Sequence, residues 1–299
     1  MVYLFDNVPE GVYFGLLLIS ILFLWLFPKI SLHVAALAVG YGLYLERITF
    51  SGAAIIAGAV LLLQLFKRTD DKRFTQPVIF LALTALFMMG FMHYLPGFDH
   101  WLMIENYPIS IDSYPYRFFL SSDKILFAIL IAATTLNLAR EKLDWQMAFH
   151  EAFLPTLLVC AALIPTVTIF TNVTLDPKMP DIMVLWMVIN FFFVAFVEEA
   201  FFRGFVQRYL FKWLGLPWQS IFLSATLFGL MHYHGGAFYM GIATLAGVGY
   251  GIAYQRGQRL EAAIIAHFTV NLMHVLMFDY PGLLLSVLPN VLRAGLIPA

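Results

Sequence analysis

Hydrophobic positions in this chain fall in long unbroken runs, not in the alternation of half-buried strands or the one-faced spacing of soluble helices. Ten such runs read as membrane-crossing helices, at about 11–27, 30–45, 50–66, 77–95, 120–138, 152–171, 182–203, 218–233, 236–254 and 260–278. A helix crosses the ~30 Å hydrocarbon layer with about 20 mostly apolar residues. A further apolar tail at 282–298 is too short to count as a span. The stretch from Phe98 to Phe119 is rich in Trp, Tyr and Pro and predicts an interfacial loop with aromatic anchors. The expected fold is all-α: a polytopic transmembrane helical bundle of about ten spans, without linkers or repeats.

Composition supports that class. Of 299 residues, 62% are hydrophobic and 12% charged, against about half and a quarter in ordinary globular chains. Mean hydropathy is +0.84. A soluble core cannot hide this much Phe, Leu and Ile. The single cysteine, Cys160, excludes an internal disulfide and a thiolate metal cage. No basic start and small-residue cleavage site marks a removable signal peptide.

Basic residues give the spans a direction. With the N-terminus outside, 12 of the 17 Lys and Arg residues fall in the gaps that face inward, as the positive-inside rule requires. The net charge of −1 says little about partners. The expected setting is a multi-pass protein of the cell (inner) membrane, N-terminus outside. Its expected partners are lipid and a membrane-associated peptide or protein substrate, with no nucleic acid; oligomeric state is left open.

Chemistry concentrates in the last 40% of the chain, in three motifs: Glu198-Glu199-x-x-x-Arg203, Phe228-x-x-x-His232 and His267-x-x-x-Asn271. An acidic side chain at the centre of a membrane helix costs about 2.5–3.5 kcal/mol on insertion scales. Such a charge persists when it is paired, hydrated or reactive. Glu199 and Arg203 lie four apart with the acid first, the favoured order for an ion pair. Glu198 points about 100° away and is left available. His267 and Asn271 share a helical face.

The first two motifs fall at one depth. A turn is expected near Trp213–Pro217, where Gly215 and Pro217 break the pattern. Glu198 lies 14 residues before Lys212 and His232 lies 14 after Trp218, so each is about 21 Å from its end of the turn. Small residues at Ala243, Gly247 and Gly251 permit close packing of the intervening helix. A carboxylate beside an imidazole activates water, and a second imidazole with an amide stabilises an oxyanion. One glutamate and two histidines also make a common zinc set, although no HExxH pattern favours it.

In this order the motifs resemble the CPBP family (ABI family), which includes the type II CAAX prenyl endopeptidases. The resemblance covers about residues 182–278 and implies an intramembrane protease. It implies that Glu198 and His232 activate water, that His267 and Asn271 stabilise the oxyanion, and that Glu199 and Arg203 give structural support. It leaves the cofactor open: none, or one divalent metal such as zinc held by Glu198, His232 and His267. The division it suggests is an N-terminal transmembrane region of unknown role, 1–150, followed by a CPBP-type protease domain, 151–299. A proton-coupled transporter and a non-catalytic or immunity-type membrane partner are the rival classes. The first is disfavoured by the lack of a second acidic motif, the second by the presence of all four polar site residues. His33, His93, His150, His234 and His274 read as structural or interfacial.

Overall fold

The computed structural model describes Val2 and residues 7–69, 74–109, 115–171 and 173–279. The basic pair Lys72–Arg73 and the apolar tail at 282–298 lie outside the described residues. Ten helices form among the described residues: α1 (Val8–Leu26), α2 (Pro28–Tyr44), α3 (Phe50–Arg68), α4 (Thr75–Phe91), α5 (Ser122–Thr135), α6 (Lys142–Phe170), α7 (Met183–Leu214), α8 (Pro217–Leu230), α9 (Gly236–Gly257) and α10 (Leu260–Met277). Their starts and stops are local chemistry. Proline opens α2 and α8 at a position where no N–H is needed. A capping box of Glu141 and Asp144 starts α6.

The helices stand where the ten apolar runs were read, but about ten spans is not confirmed. Six are long and apolar enough to cross a membrane: α1, α3, α6, α7, α9 with its leading turn, and α10. Hydropathy counts apolar residues, whereas crossing depends on helix length. At 14 residues, α5 and α8 rise only about 21 Å, short of the hydrocarbon thickness. Most of α5 is buried, from Ser122 to Ala132 with Lys124 half-buried. It is apolar all round because protein surrounds it.

Long-range contacts fix which helix ends meet. Trp25 Nε1 and the Ala139 N–H both donate to Oε1 of the buried Glu261 at 2.7 Å, joining the end of α1, the α5–α6 link and the start of α10. Arg208 donates to the Thr135 carbonyl at the same end. At the other end, Ile48 bridges Phe98 and Leu175 bridges Phe278. Buried apolar residues from Tyr13 to Val270 form one contiguous cluster. Phe66, Phe80 and Phe87 of α3 and α4 bring their rings within 5.1–5.9 Å of Phe205 in α7.

The segment expected as an interfacial loop is a β-hairpin, which corrects that reading. Strands β1 (Trp101–Tyr107) and β2 (Tyr116–Leu120) pair antiparallel, with Trp101 opposite Leu120 at the base. Met103 and Ile104 are buried, so aromatic residues that resembled a membrane-surface belt belong to a packed two-stranded ribbon.

Candidate active site

Four helices and the hairpin enclose a cavity of about 390 Å³, lined by side chains from β2, α6, α7, α9 and α10 and from the residues around the end of α8. Glu198, His232, His267 and Asn271 all line it, as do Tyr116, Arg117 and Phe118 of the hairpin. The structure thus brings the four predicted polar residues to one cleft.

The middle of α7 departs from regular winding. Asn190–Ala195 and Ala200–Gln207 are π-helical and flank the short α-turn Phe196–Glu199, which carries both glutamates. Such widened turns recur where a helix must aim side chains for function. Glu199 and Arg203 are fully buried. Arg203 Nη1 donates to Glu199 Oε1 at 3.2 Å, and Nε lies 3.1 Å from Oε2 without the alignment of a hydrogen bond.

The rest of the arginine is held by α9. Nη2 donates to the Gly247 carbonyl at 2.7 Å, and one turn on Gln207 Nε2 donates to the Gly251 carbonyl at 2.9 Å. A methyl group on Gly247 would stand 3.1 Å from Nη2. The small-residue stripe therefore exposes backbone acceptors as well as permitting close packing. The guanidinium also lies 4.8 Å from the Phe228 ring centroid, within cation–π range.

His267 extends this network into the cleft. Its Nδ1 is 2.8 Å from Glu199 Oε1. A carboxylate accepts, so Nδ1 carries the proton and Nε2 is left facing Glu198 Oε2 at 3.9 Å. Tyr250 stacks on the imidazole at 4.6 Å and 9°. The expected Glu199–Arg203 pair is thus one part of a three-residue network. Glu198 is different: its side chain is 20% exposed and open to the cavity.

His232 follows the end of α8 instead of riding inside it. Because α8 stops at Leu230, the residue sits on the turn, where Nδ1 is 2.9 Å from the Phe228 carbonyl. That carbonyl can only accept, so Nδ1 donates and Nε2 keeps its lone pair. Asn271 Nδ2 donates to Asn190 Oδ1 at 3.3 Å. Asn190, Tyr239 and Tyr250 line the cleft without having been singled out from the sequence. For Asn190 a signal existed: a polar amide within a lipid-grade apolar run. Tyr239 and Tyr250 carried none, since tyrosine is common in such helices. His274, read as structural, also reaches the cleft wall.

No curated protein and no solved structure matches the chain. Its six long apolar helices, together with the family match, mark it as an integral membrane protein. The resemblance read from the three motifs is borne out over the segment that carries them: residues 180–273 match the family model described as Type II CAAX prenyl endopeptidase Rce1-like.

Proposed function

We propose that this chain is a CAAX-type intramembrane endopeptidase that hydrolyses a peptide bond of a membrane-associated substrate. The observation that carries this reading is the convergence of Glu198, His232, His267 and Asn271 on one cavity, with Glu198 unpaired by the buried arginine. Water held between Glu198 and the Nε2 lone pair of His232 gives up a proton as its oxygen attacks the scissile carbonyl carbon. General-base help of this kind contributes about 10²–10⁴-fold. The carbonyl oxygen becomes an oxyanion that accepts from Asn271 Nδ2 and from His267. Donation from His267 to the oxyanion uses Nε2, which requires a proton there in addition to the one that Nδ1 directs at Glu199. Breaking the C–N bond returns a proton from the Glu198–His232 pair to the leaving amine.

A second reading of the catalytic type follows from the two imidazoles, each with Nδ1 already engaged, the usual support for a metal-binding histidine. Glu198, His232 and His267 would then hold one divalent ion such as zinc, which would polarise the carbonyl and acidify a bound water. The basic residues at the end shared by Pro28, Thr135 and Gly215 support a cell-membrane orientation with that end in the cytoplasm and the N-terminus outside.

Comparative proteomics of membrane peptides from cells with wild type or Glu198→Ala tests the function. Uncleaved substrate accumulating in the variant is the expected result. Indistinguishable peptide profiles would reject it.

A further inference from the structure

Three ligand-type side chains meet away from the cleft, at the base of the hairpin. His93 lies two residues past the end of α4, His100 immediately precedes β1, and Asp123 is in the first turn of α5, three residues past β2. One ligand atom from each lies within 4.8 Å of the others. The two imidazole rings are 4.2 Å apart between centroids and inclined at 62°. His93 adopts φ +58, a left-handed conformation uncommon outside glycine, and this turns the chain back at the end of α4.

Hydrogen bonding leaves this group incomplete. Asp123 is fully buried, and its Oδ1 accepts from the Lys124 N–H at 2.8 Å. Its Oδ2 has no hydrogen-bond partner, and neither has Nδ1 of His100. Buried polar atoms are nearly always satisfied, so two orphans within one three-residue group ask for a ligand. Two imidazoles and a carboxylate, without thiolates, form a nitrogen–oxygen set suited to zinc-like ions and poorly matched to calcium or magnesium, which prefer all-oxygen cages. The exposure of His93 gives an ion access and room for water as fourth ligand. Tetrahedral zinc bonds of about 2.0–2.1 Å put ligand atoms about 3.3 Å apart, so side-chain rotation on the order of 1 Å completes the site.

We propose that His93, His100 and Asp123 bind one zinc-like divalent ion that fastens the base of the hairpin to the end of α4. The placement gives the ion a structural consequence. Trp101 and Leu120, the basal pair of the hairpin, lie between His100 and Asp123 along the chain. The same hairpin presents Tyr116, Arg117 and Phe118 to the cleft. An ion bound here holds that wall in place from outside the reacting centre, sharing no ligand with Glu198, His232 or His267.

The test is cobalt titration of the full chain carrying Glu198→Ala, which removes a cleft carboxylate that could hold an ion, purified in detergent and stripped with chelator, followed by competition with zinc. One equivalent of Co²⁺ with tetrahedral-type visible absorption is expected, displaced by zinc. Added to that background, His93→Ala and His100→Ala should each weaken this binding at least 10-fold, while His232→Ala leaves it intact. Zinc should raise the melting temperature of the Glu198→Ala protein but not once His93→Ala is added. Because His93 is exposed, its variant decides the matter even if His100→Ala does not fold. In that background the proposal is overturned by an absence of saturable binding, by binding that survives His93→Ala, or by binding lost in His232→Ala. None of these outcomes bears on whether the cleft cleaves peptides.

Discussion

Nδ1 of His267 donates to Oε1 of Glu199 across 2.8 Å, although 68 residues separate them in the chain. One carboxylate therefore neutralises Arg203 and holds Nδ1 of the imidazole that reaches into the cleft. The two adjacent glutamates have different duties as a result.

Glu198→Gln is expected to abolish peptide cleavage with little change in melting temperature, because a half-open carboxylate is replaced by its isostere. Glu199→Gln keeps an acceptor for His267 but leaves Arg203 as an uncompensated buried charge, at a cost of about 3–5 kcal/mol. Thermal unfolding in detergent, with turnover measured on the folded fraction, separates the two. Full activity in Glu198→Gln would remove it from the catalytic role.

The amide of Asn271 should matter more to the transition state than to substrate binding. Asn271→Ala is expected to lower kcat by about 100- to 1000-fold with little change in KM. Asn271→Asp should be similarly poor, since a carboxylate faces the oxyanion. A metal-ligand role predicts the opposite, with activity retained in the aspartate variant. Asn190→Ala should act only through Asn271, so its effect should largely disappear in an Asn271→Ala background.

Close packing of α8 on α9 makes a sharp stability contrast. A methyl on Gly229 would collide with Thr244 Oγ1 and stand 2.7 Å from the Met240 carbonyl oxygen, whereas nothing lies within 4 Å of one on Gly241. Gly229→Ala should cost about 1–3 kcal/mol through overpacking. Gly241→Ala should be neutral or slightly stabilising, as alanine favours the helix. Equal melting temperatures for the two variants would contradict the packing described.

Orientation is open to labelling. In a Cys160→Ser background, single cysteines at Lys67, Arg140 and Lys212 should react with impermeant reagent only after the membrane is opened. One at Arg117 should react in intact cells. Labelling of the first three from outside would reverse the orientation.

Helix positions and the cleft residues were legible in the sequence for separate physical reasons. Apolar runs locate helices because backbone groups must be satisfied within lipid, and the charged motifs are conspicuous because hydrocarbon penalises them. Span number was not legible, since α5 is as apolar as a lipid-facing helix yet is packed inside protein. The hairpin was hidden because its aromatics have the composition of an interface. The eighth run, 218–233, places His232 at its end, whereas α8 stops three residues sooner at Leu230, a boundary that hydropathy does not resolve. The link from Glu199 to His267 joins residues on different helices, which spacing within one helix cannot reveal.

The hairpin also bears on any attempt to define the smallest unit that keeps the cleft. The matched segment begins at residue 180, yet the cleft wall includes Tyr116, Phe118, Cys160 and Val167, all of which precede it. Oε1 of the buried Glu261, near the start of α10, accepts from Trp25 Nε1 and the Ala139 N–H. A truncation to the motif-bearing helices would keep Glu198, His232, His267 and Asn271, yet it would remove part of the cleft wall and strand a buried carboxylate. The smallest unit that can be transplanted with its chemistry intact is therefore much larger than the stretch its motifs occupy.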